Sequence, residues 1–157
     1  MIYDLLTKLS FEHYAIEYLW FVPMVETIHY TGHILLFGCI LLFDARLLGL
    51  APQLSISQFE RLTVRFSILG FLIAITSGSV LLLTSLGYFW GNPALVNKLI
   101  FMGIALANIG LFHFFVAPKL QSCDSNTQTP WFAKLSALTS LTFWIAVVAC
   151  GRLIAYY

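Results

Sequence analysis

The sequence has few charged residues: aspartate, glutamate, lysine and arginine together make up 10% of its 157 residues. A soluble domain carries about a quarter of such residues, because its surface faces water. Hydrophobic residues make up 60% of the chain, which indicates a surface that faces lipid instead. Eight basic and seven acidic residues nearly cancel, and no basic run occurs, so we expect no nucleic-acid partner.

Cysteine and the common catalytic motifs are also scarce or missing. Cys39, Cys123 and Cys150 show no CxxC spacing, so we expect free thiols rather than a disulfide framework. The lack of a CxxCH motif excludes covalent c-type haem attachment. No GxSxG, HExxH or phosphate-binding glycine loop occurs, which argues against a hydrolytic enzyme and leaves other enzyme classes open.

The chain contains long apolar segments with few charged residues. Crossing ~30 Å of hydrocarbon requires about 20 helical residues, and four stretches are long enough, at about 21–43, 66–86, 99–117 and 135–155. Their short connectors predict that consecutive helices are antiparallel neighbours. We therefore predict an all-α fold, an integral membrane up-down four-helix bundle that forms a single transmembrane domain over residues 1–157.

The segment before the first span differs in character from the spans. Between Tyr3 and Trp20, leucine and isoleucine alternate with aspartate, lysine and glutamate. This pattern predicts an N-terminal amphipathic helix that lies in the membrane interface. A helical extension of the first span fits the same pattern, and the two alternatives differ only in tilt.

Lysine and arginine are distributed unequally between the two ends of the spans. Five of them flank the first and third connectors: Arg46, Arg61, Arg65, Lys119 and Lys134. Three lie at the opposite end: Lys8, Lys98 and Arg152. Because basic residues favour the cytoplasmic side, we predict that both termini lie outside the cytoplasm.

Ionisable residues within the spans are the candidate functional groups, because a charge in lipid is costly. Glu26, His29 and His33 follow the spacing i, i+3, i+7, which puts them on one stripe of the first helix, facing the bundle interior. His33 and His113 could hold opposite faces of a b-type haem, with His29 as a substitute ligand. Asn108 is included in this candidate cofactor site because it lies in the same central layer as His33.

Two other interpretations of these residues stay open. A copper or iron ion could bind Glu26, His29 and His33, because Glu-x-x-His is a spacing found in bundle metal centres and imidazole suits both metals. In the structural alternative, His33 only hydrogen-bonds Asn108 or Thr76 across the bundle, and Glu26 forms an ion pair with Arg152.

Small residues recur at intervals of four in two spans. Gly70, Ala74 and Gly78 form one such stripe, and Gly103 and Ala107 form another. Small residues at this spacing let two helices approach closely. We expect one stripe to serve the bundle and the other to be available for a homo-oligomer.

Three short motifs carry a resemblance to a known family. They are residues 44–49 (DARLLG), residues 108–113 (NIGLFH), and the close from Trp144 through residues 151–156 (GRLIAY). Together they resemble a bacterial family of small four-helix inner-membrane proteins of unknown function. The architecture is also distantly similar to membrane domains of the copper-resistance CopD type and to b-type cytochrome bundles. The resemblance implies a bacterial inner (cytoplasmic) membrane, with both termini then periplasmic.

The sequence thus supports three functional hypotheses. The leading one is electron transfer by a b-type haem in the membrane, with a quinone or another redox protein as partner. The second is a non-catalytic structural or assembly subunit of a larger membrane complex. The third is a metal or proton carrier that uses Glu26, His29 and His33.

Overall fold

The computed structural model describes residues 6–7, 10–121 and 129–157, and helices account for nearly all of them. The α-helices are labelled α1 (Glu12–Glu17), α2 (Phe21–Leu48), α3 (Ile56–Thr84), α4 (Leu86–Phe89), α5 (Pro93–Leu111), α6 (Ala117–Gln121) and α7 (Trp131–Leu153). A π-helical turn, Phe112–Val116, joins α5 to α6, and a 3-10 turn, Ile154–Tyr156, follows α7. No strand occurs in the described ranges, which confirms the all-α prediction.

Four helices are long and apolar enough to cross a membrane, as the sequence predicted: α2, α3, α5 with its continuation to Leu120, and α7 with its 3-10 turn. Each continues beyond its predicted apolar span. The helix α3 begins at Ile56 rather than near residue 66, because the polar segment before the span is itself helical. Its charged first turns therefore stand outside the apolar part.

Local sequence signals set the ends of these helices. The Asn92 side chain accepts hydrogen bonds from the backbone N–H of Ala94 (3.0 Å) and Leu95 (3.2 Å), and Pro93 occupies the first position of α5. This is the standard combination of a polar N-cap followed by proline. The helix α2 ends at Leu48 and is followed by Gly49, which has a φ of 114°, a left-handed conformation that glycine adopts readily.

The helices form an open row rather than a closed ring. The helix α3 packs along α2, α2 also packs against α7, and α7 packs along α5. The helices α3 and α5 do not pack along each other, although they are consecutive spans. Their connector includes α4. After α5 ends, His113 of the π turn bonds Glu60 of α3, and α6 also contacts α3.

The contact between α2 and α3 is unusually close because it is made by small residues. A Cβ atom added to Gly32 would lie 2.7 Å from the Ala74 backbone nitrogen, and one added to Gly70 would lie 2.6 Å from the Leu36 backbone nitrogen. The stripe that contains Gly70 and Ala74 therefore serves packing within the molecule. On α5, Gly103 is exposed and has open space around its Cα.

The buried core consists of two clusters that lie at different levels along the helices. The first contains Leu47, Phe112, Ala117, Leu120, Ala133 and Ala137, and the second contains Leu36, Ile40, Ala105, Trp144 and Val147. Outside these clusters large apolar side chains stay uncovered, and in the most apolar 18-residue window of α5 only 11% of residues are buried. The apolar residues of the spans are thus mostly on the outside of the molecule.

The N-terminal region forms a separate short helix. Residues 18–20 separate α1 from α2, and Tyr18 has extended backbone angles (φ −118°, ψ 97°), so α1 is not an extension of the first span. The backbone N–H of Phe11 donates to the Leu83 carbonyl (2.9 Å), which ties this region to the end of α3. Residues 3–5 and 8–9 of the predicted amphipathic segment lie outside the described residues, as does Cys123.

Candidate functional site

Two histidines of α2 lie side by side at its interface with α3. The ring centroids of His29 and His33 are 4.4 Å apart, as expected for residues one helical turn apart on the same face. The His29 Nδ1 lies 2.9 Å from the Ala74 carbonyl oxygen and 3.2 Å from the Ser77 hydroxyl. The structure therefore brings two of the predicted site residues together between helices.

Backbone carbonyls fix the orientation of both rings. The His33 Nδ1 lies 3.1 Å from the His29 carbonyl oxygen, and the His29 Nδ1 contacts the Ala74 carbonyl. A carbonyl oxygen only accepts hydrogen bonds, so each contact assigns the proton to Nδ1. Neither Nε2 has a hydrogen bond to another described residue. In this tautomer each Nε2 has a lone pair free for a ligand.

Residues from the other long helices complete the surroundings of the histidine pair. Gly78 of α3 leaves space for the His29 ring, because a Cβ there would lie 2.8 Å from His29 Cε1. Lys98 of α5 is close enough to interact electrostatically with both imidazoles. Its Nζ lies 3.3 Å from the position of a Cβ on Gly151 of α7. All four long helices thus contribute to this site.

Glu26 and Arg152 are separate from the histidine pair. Both side chains are exposed, and no ion pair joins them among the residues that the structure describes. Three residues of helix cover about 300° rather than a full turn, so Glu26 lies about 60° to one side of His29, and its side chain is exposed. The described arrangement therefore offers two imidazoles but not the Glu26 carboxylate.

His113 lies in a different part of the molecule. Its Nδ1 is 3.0 Å from the Glu60 carboxylate, near the first turns of α3. Gly32, the residue before His33, packs instead against Gly70 and Ala74 of α3. At 1.5 Å per residue, Gly70 and Ala74 lie at least about 15 Å farther along α3 than Glu60, the partner of His113. Two axial imidazole nitrogens on one haem iron would be only about 4 Å apart, from two bonds of about 2 Å.

The arrangement thus does not bring His33 and His113 together as two ligands of one haem. The groove that His113 lines does not include His33. The sequence predicted a difference in depth of only about 7 Å between the two histidines, because each span was centred on its apolar residues alone. The described helices extend farther at the charged end, and this moves His113 away from the level of His33.

Asn108 also has a local partner rather than a place in the histidine pair. Its side-chain amide donates to the Ser136 carbonyl (3.1 Å), and the Ser136 hydroxyl donates back to Asn108 Oδ1 (3.2 Å). These bonds join α5 to α7. Polar residues often join membrane helices in this way, so Asn108 has a structural role in the described arrangement.

Sequence reasoning missed two groups of polar residues. The sequence analysis counted Lys98 as an interfacial cation. Its electrostatic interaction with the histidines depends on how α5 docks, and the sequence pattern does not encode that docking. Asp44 is buried and hydrogen-bonds the Ser140 side chain, while its Oδ2 and the Trp144 Nε1 lack partners within the described ranges. Ser140 and Trp144, four residues apart on one face of the fourth predicted span, were the sequence signal that could have identified this group.

Comparisons of the chain with protein-family models, curated proteins and solved structures found no match.

The histidine pair is chemically suited to a small number of tasks. Among the described residues, no group of three or more histidine, cysteine, aspartate or glutamate side chains is placed to hold a metal ion. Two imidazoles with free Nε2 atoms can bind a metal ion with low coordination demand, accept a proton, or accept a hydrogen bond from a ligand. Lys98 interacts electrostatically with both imidazoles and, when protonated, adds a positive charge to their surroundings.

Proposed function

We propose that this chain is a multi-pass protein of the bacterial inner membrane, with both termini periplasmic, that carries a transition-metal ion on His29 and His33. The observation that supports it most directly is the pair of imidazoles with both Nδ1 atoms bonded to backbone carbonyls. Metal-binding histidines commonly donate their second ring nitrogen to a carbonyl or carboxylate, which orients the ring and fixes the tautomer.

Copper and iron are the ions that the imidazole chemistry favours. Two protein ligands leave coordination positions open, and a site with open positions exchanges its ion more readily than a closed structural site. This property suits a carrier better than a structural metal centre. An exogenous ligand or a water molecule would complete the coordination.

Membrane insertion is the other part of the proposal. The uncovered apolar surface of the four long helices supports it, since a soluble monomer rarely exposes apolar patches beyond a few hundred Å². Aromatic residues are exposed at both ends of the long helices, as interfacial belts require. They are Trp20, Tyr88, Trp90, Tyr156 and Tyr157 at one end and Trp131 at the other.

Metal binding is tested on protein purified in detergent and titrated with copper(I), copper(II) and iron(II). We expect about one ion per chain, and His29→Ala or His33→Ala should each weaken binding by more than about 100-fold, beyond the 10–100-fold effect of losing a second-shell partner. His13→Ala is the matched control, because His13 is exposed on α1 and bonds Glu17. Equal metal affinity in all four proteins would refute the metal site.

Lys98 provides a test of what the site holds. A protonated lysine repels a bound cation, so Lys98→Met should strengthen metal binding by about tenfold, the effect of ~1.4 kcal/mol of removed repulsion. Lys98 also favours a second candidate, a quinone whose carbonyl accepts a hydrogen bond from the ammonium. In that case Lys98→Met would weaken quinone binding, and metal affinity would not change.

The haem and structural hypotheses give different results in the same preparation. A b-type haem held by His29 or His33 alone would show a Soret band after haem-replete expression, and that band would disappear in the alanine variants. A purely structural role predicts that the same variants lower the unfolding temperature and bind no less metal than the wild type.

A further inference from the structure

A second candidate binding site lies at the opposite end of α3 from the histidine pair. A groove of about 610 Å³ opens between α3 and the π-helical turn. Its lining residues are Ser57, Glu60, Arg61, Val64, Arg65 and His113. This is where the π turn, a distortion often found at functional sites, presents His113 to α3.

The charge of this groove is positive. Glu60 is engaged by His113 at 3.0 Å, so its carboxylate already has a partner. Arg61 and Arg65 are one helical turn apart, are exposed, and form no ion pair with any acidic residue in the described ranges. Two guanidinium groups at this spacing can bind the oxygens of one phosphate group.

The groove also lies at the boundary between charged and apolar surface. The apolar part of α3 begins at Phe66, directly after Arg65. Phe114 and Phe115, which follow His113 on the π turn, are 80% and 64% exposed. The apolar residues that follow on α3 are exposed as well, Phe66 at 45% and Leu69 at 49%, so the basic groove continues into apolar surface.

We propose that this groove binds an anionic phospholipid, with its phosphate on Arg61 and Arg65 and an acyl chain along the exposed apolar surface of α3 that follows Arg65. Basic pockets between membrane helices on the cytoplasmic side are known to bind acidic headgroups. The proposal rests on the membrane insertion proposed above, but it is independent of metal binding by His29 and His33.

Native mass spectrometry of the detergent-purified full chain measures this binding, with phosphatidylglycerol and phosphatidylcholine as probes. We expect tighter binding of phosphatidylglycerol, and Arg61→Gln or Arg65→Gln should each weaken it roughly fivefold, with roughly 25-fold for the double variant. Lys134→Gln is the matched control, since Lys134 is exposed near the same end but does not line the groove.

Three outcomes would overturn the proposal. Equal binding of the two lipids would remove the headgroup specificity. An equal loss in Lys134→Gln would assign the effect to net charge, and displacement by millimolar inorganic phosphate would assign the groove to a free anion. Circular dichroism and copper titration of the arginine double variant should match the wild type, so that failure of this site is distinguished from failure of the fold or of the metal site.

Discussion

At the scale of single residues, the most unusual feature of the core is the group formed by Asp44, Ser140 and Trp144. Asp44 and Trp144 are 5% and 2% exposed, yet one polar atom of each lacks a partner among the described residues. A buried polar group without a hydrogen bond costs stability. The hydrogen bond from Ser140 therefore offsets part of the free-energy cost of burying the Asp44 carboxyl group.

Ser140→Ala should lower the free energy of unfolding by about 1–3 kcal/mol, because it leaves the Asp44 carboxyl group without its partner. In an Asp44→Leu background the same substitution should cost much less, since the group that needed the hydrogen bond is gone. Denaturant unfolding in a mild detergent measures both. An equal cost in the two backgrounds would show that the two side chains are not coupled.

Gly78 determines the position of the His29 ring. A methyl group at this position would lie 2.8 Å from His29 Cε1, which is too close for an undisturbed ring. Gly78→Ala should therefore displace His29 and weaken copper binding by roughly 10–100-fold, as other orienting neighbours do. Gly103→Ala, at an open position of α5, should leave copper affinity unchanged, and a similar loss in both variants would contradict this role.

The residue pattern predicted only part of the candidate site. The contact between His29 and His33 follows directly from their spacing on one helix, so the sequence could identify it. The contribution of Lys98 and the separation of His113 depend on how α5 and the π turn dock against the other helices. Hydrophobic periodicity carries no signal for either, because it defines a face but not the neighbour of that face.

At the scale of elements, the contact between α2 and α3 depends on glycine. The helix backbones approach so closely at Gly32 and Gly70 that a single methyl group would collide with backbone atoms. Backbone atoms cannot rotate away as a side chain does, so the two helices would have to separate. The sequence predicted a close approach from the stripe on α3, but it did not identify Gly32 as the opposing residue.

Gly32→Ala should lower the free energy of unfolding by about 1–3 kcal/mol, the range for overpacking a tight interface. The control is Gly103→Ala, which should be neutral or stabilise the protein by up to about 1 kcal/mol, because alanine is the better helix former and meets no neighbour. Thermal unfolding of both variants in one detergent tests the difference. Equal stabilities would mean that α2 and α3 are not in close contact.

At the scale of the whole molecule, the sequence identified the four spans but not their arrangement. Length and apolar content determine that four helices exist, since lipid leaves few alternatives to helical hydrogen bonding. The rule that short connectors join neighbours holds for α2 with α3, which are linked by a few residues. It does not hold for α3 and α5, although their connector, residues 85–92, is about as short as residues 49–55 between α2 and α3. Connector length alone therefore did not decide the packing, and α7 packs against α2.

The proposed orientation is tested by reporter fusions after Tyr157. Alkaline phosphatase should be active there and a fluorescent protein should not be, because the basic residues at the other end favour the cytoplasm. Fusions in the connector between α2 and α3, after Gln53, should give the opposite result. Fluorescence at the C-terminus together with phosphatase activity after Gln53 would invert the topology.

The helices α3 and α5 stand at the two ends of the packing order, and neither packs along the other. His29 contacts α3, and Lys98 on α5 interacts electrostatically with both histidines. Both imidazoles belong to a helix that we propose crosses the membrane, so they lie away from bulk water. A chelated, lipid-soluble form of the ion is therefore better suited than a hydrated ion to reach them.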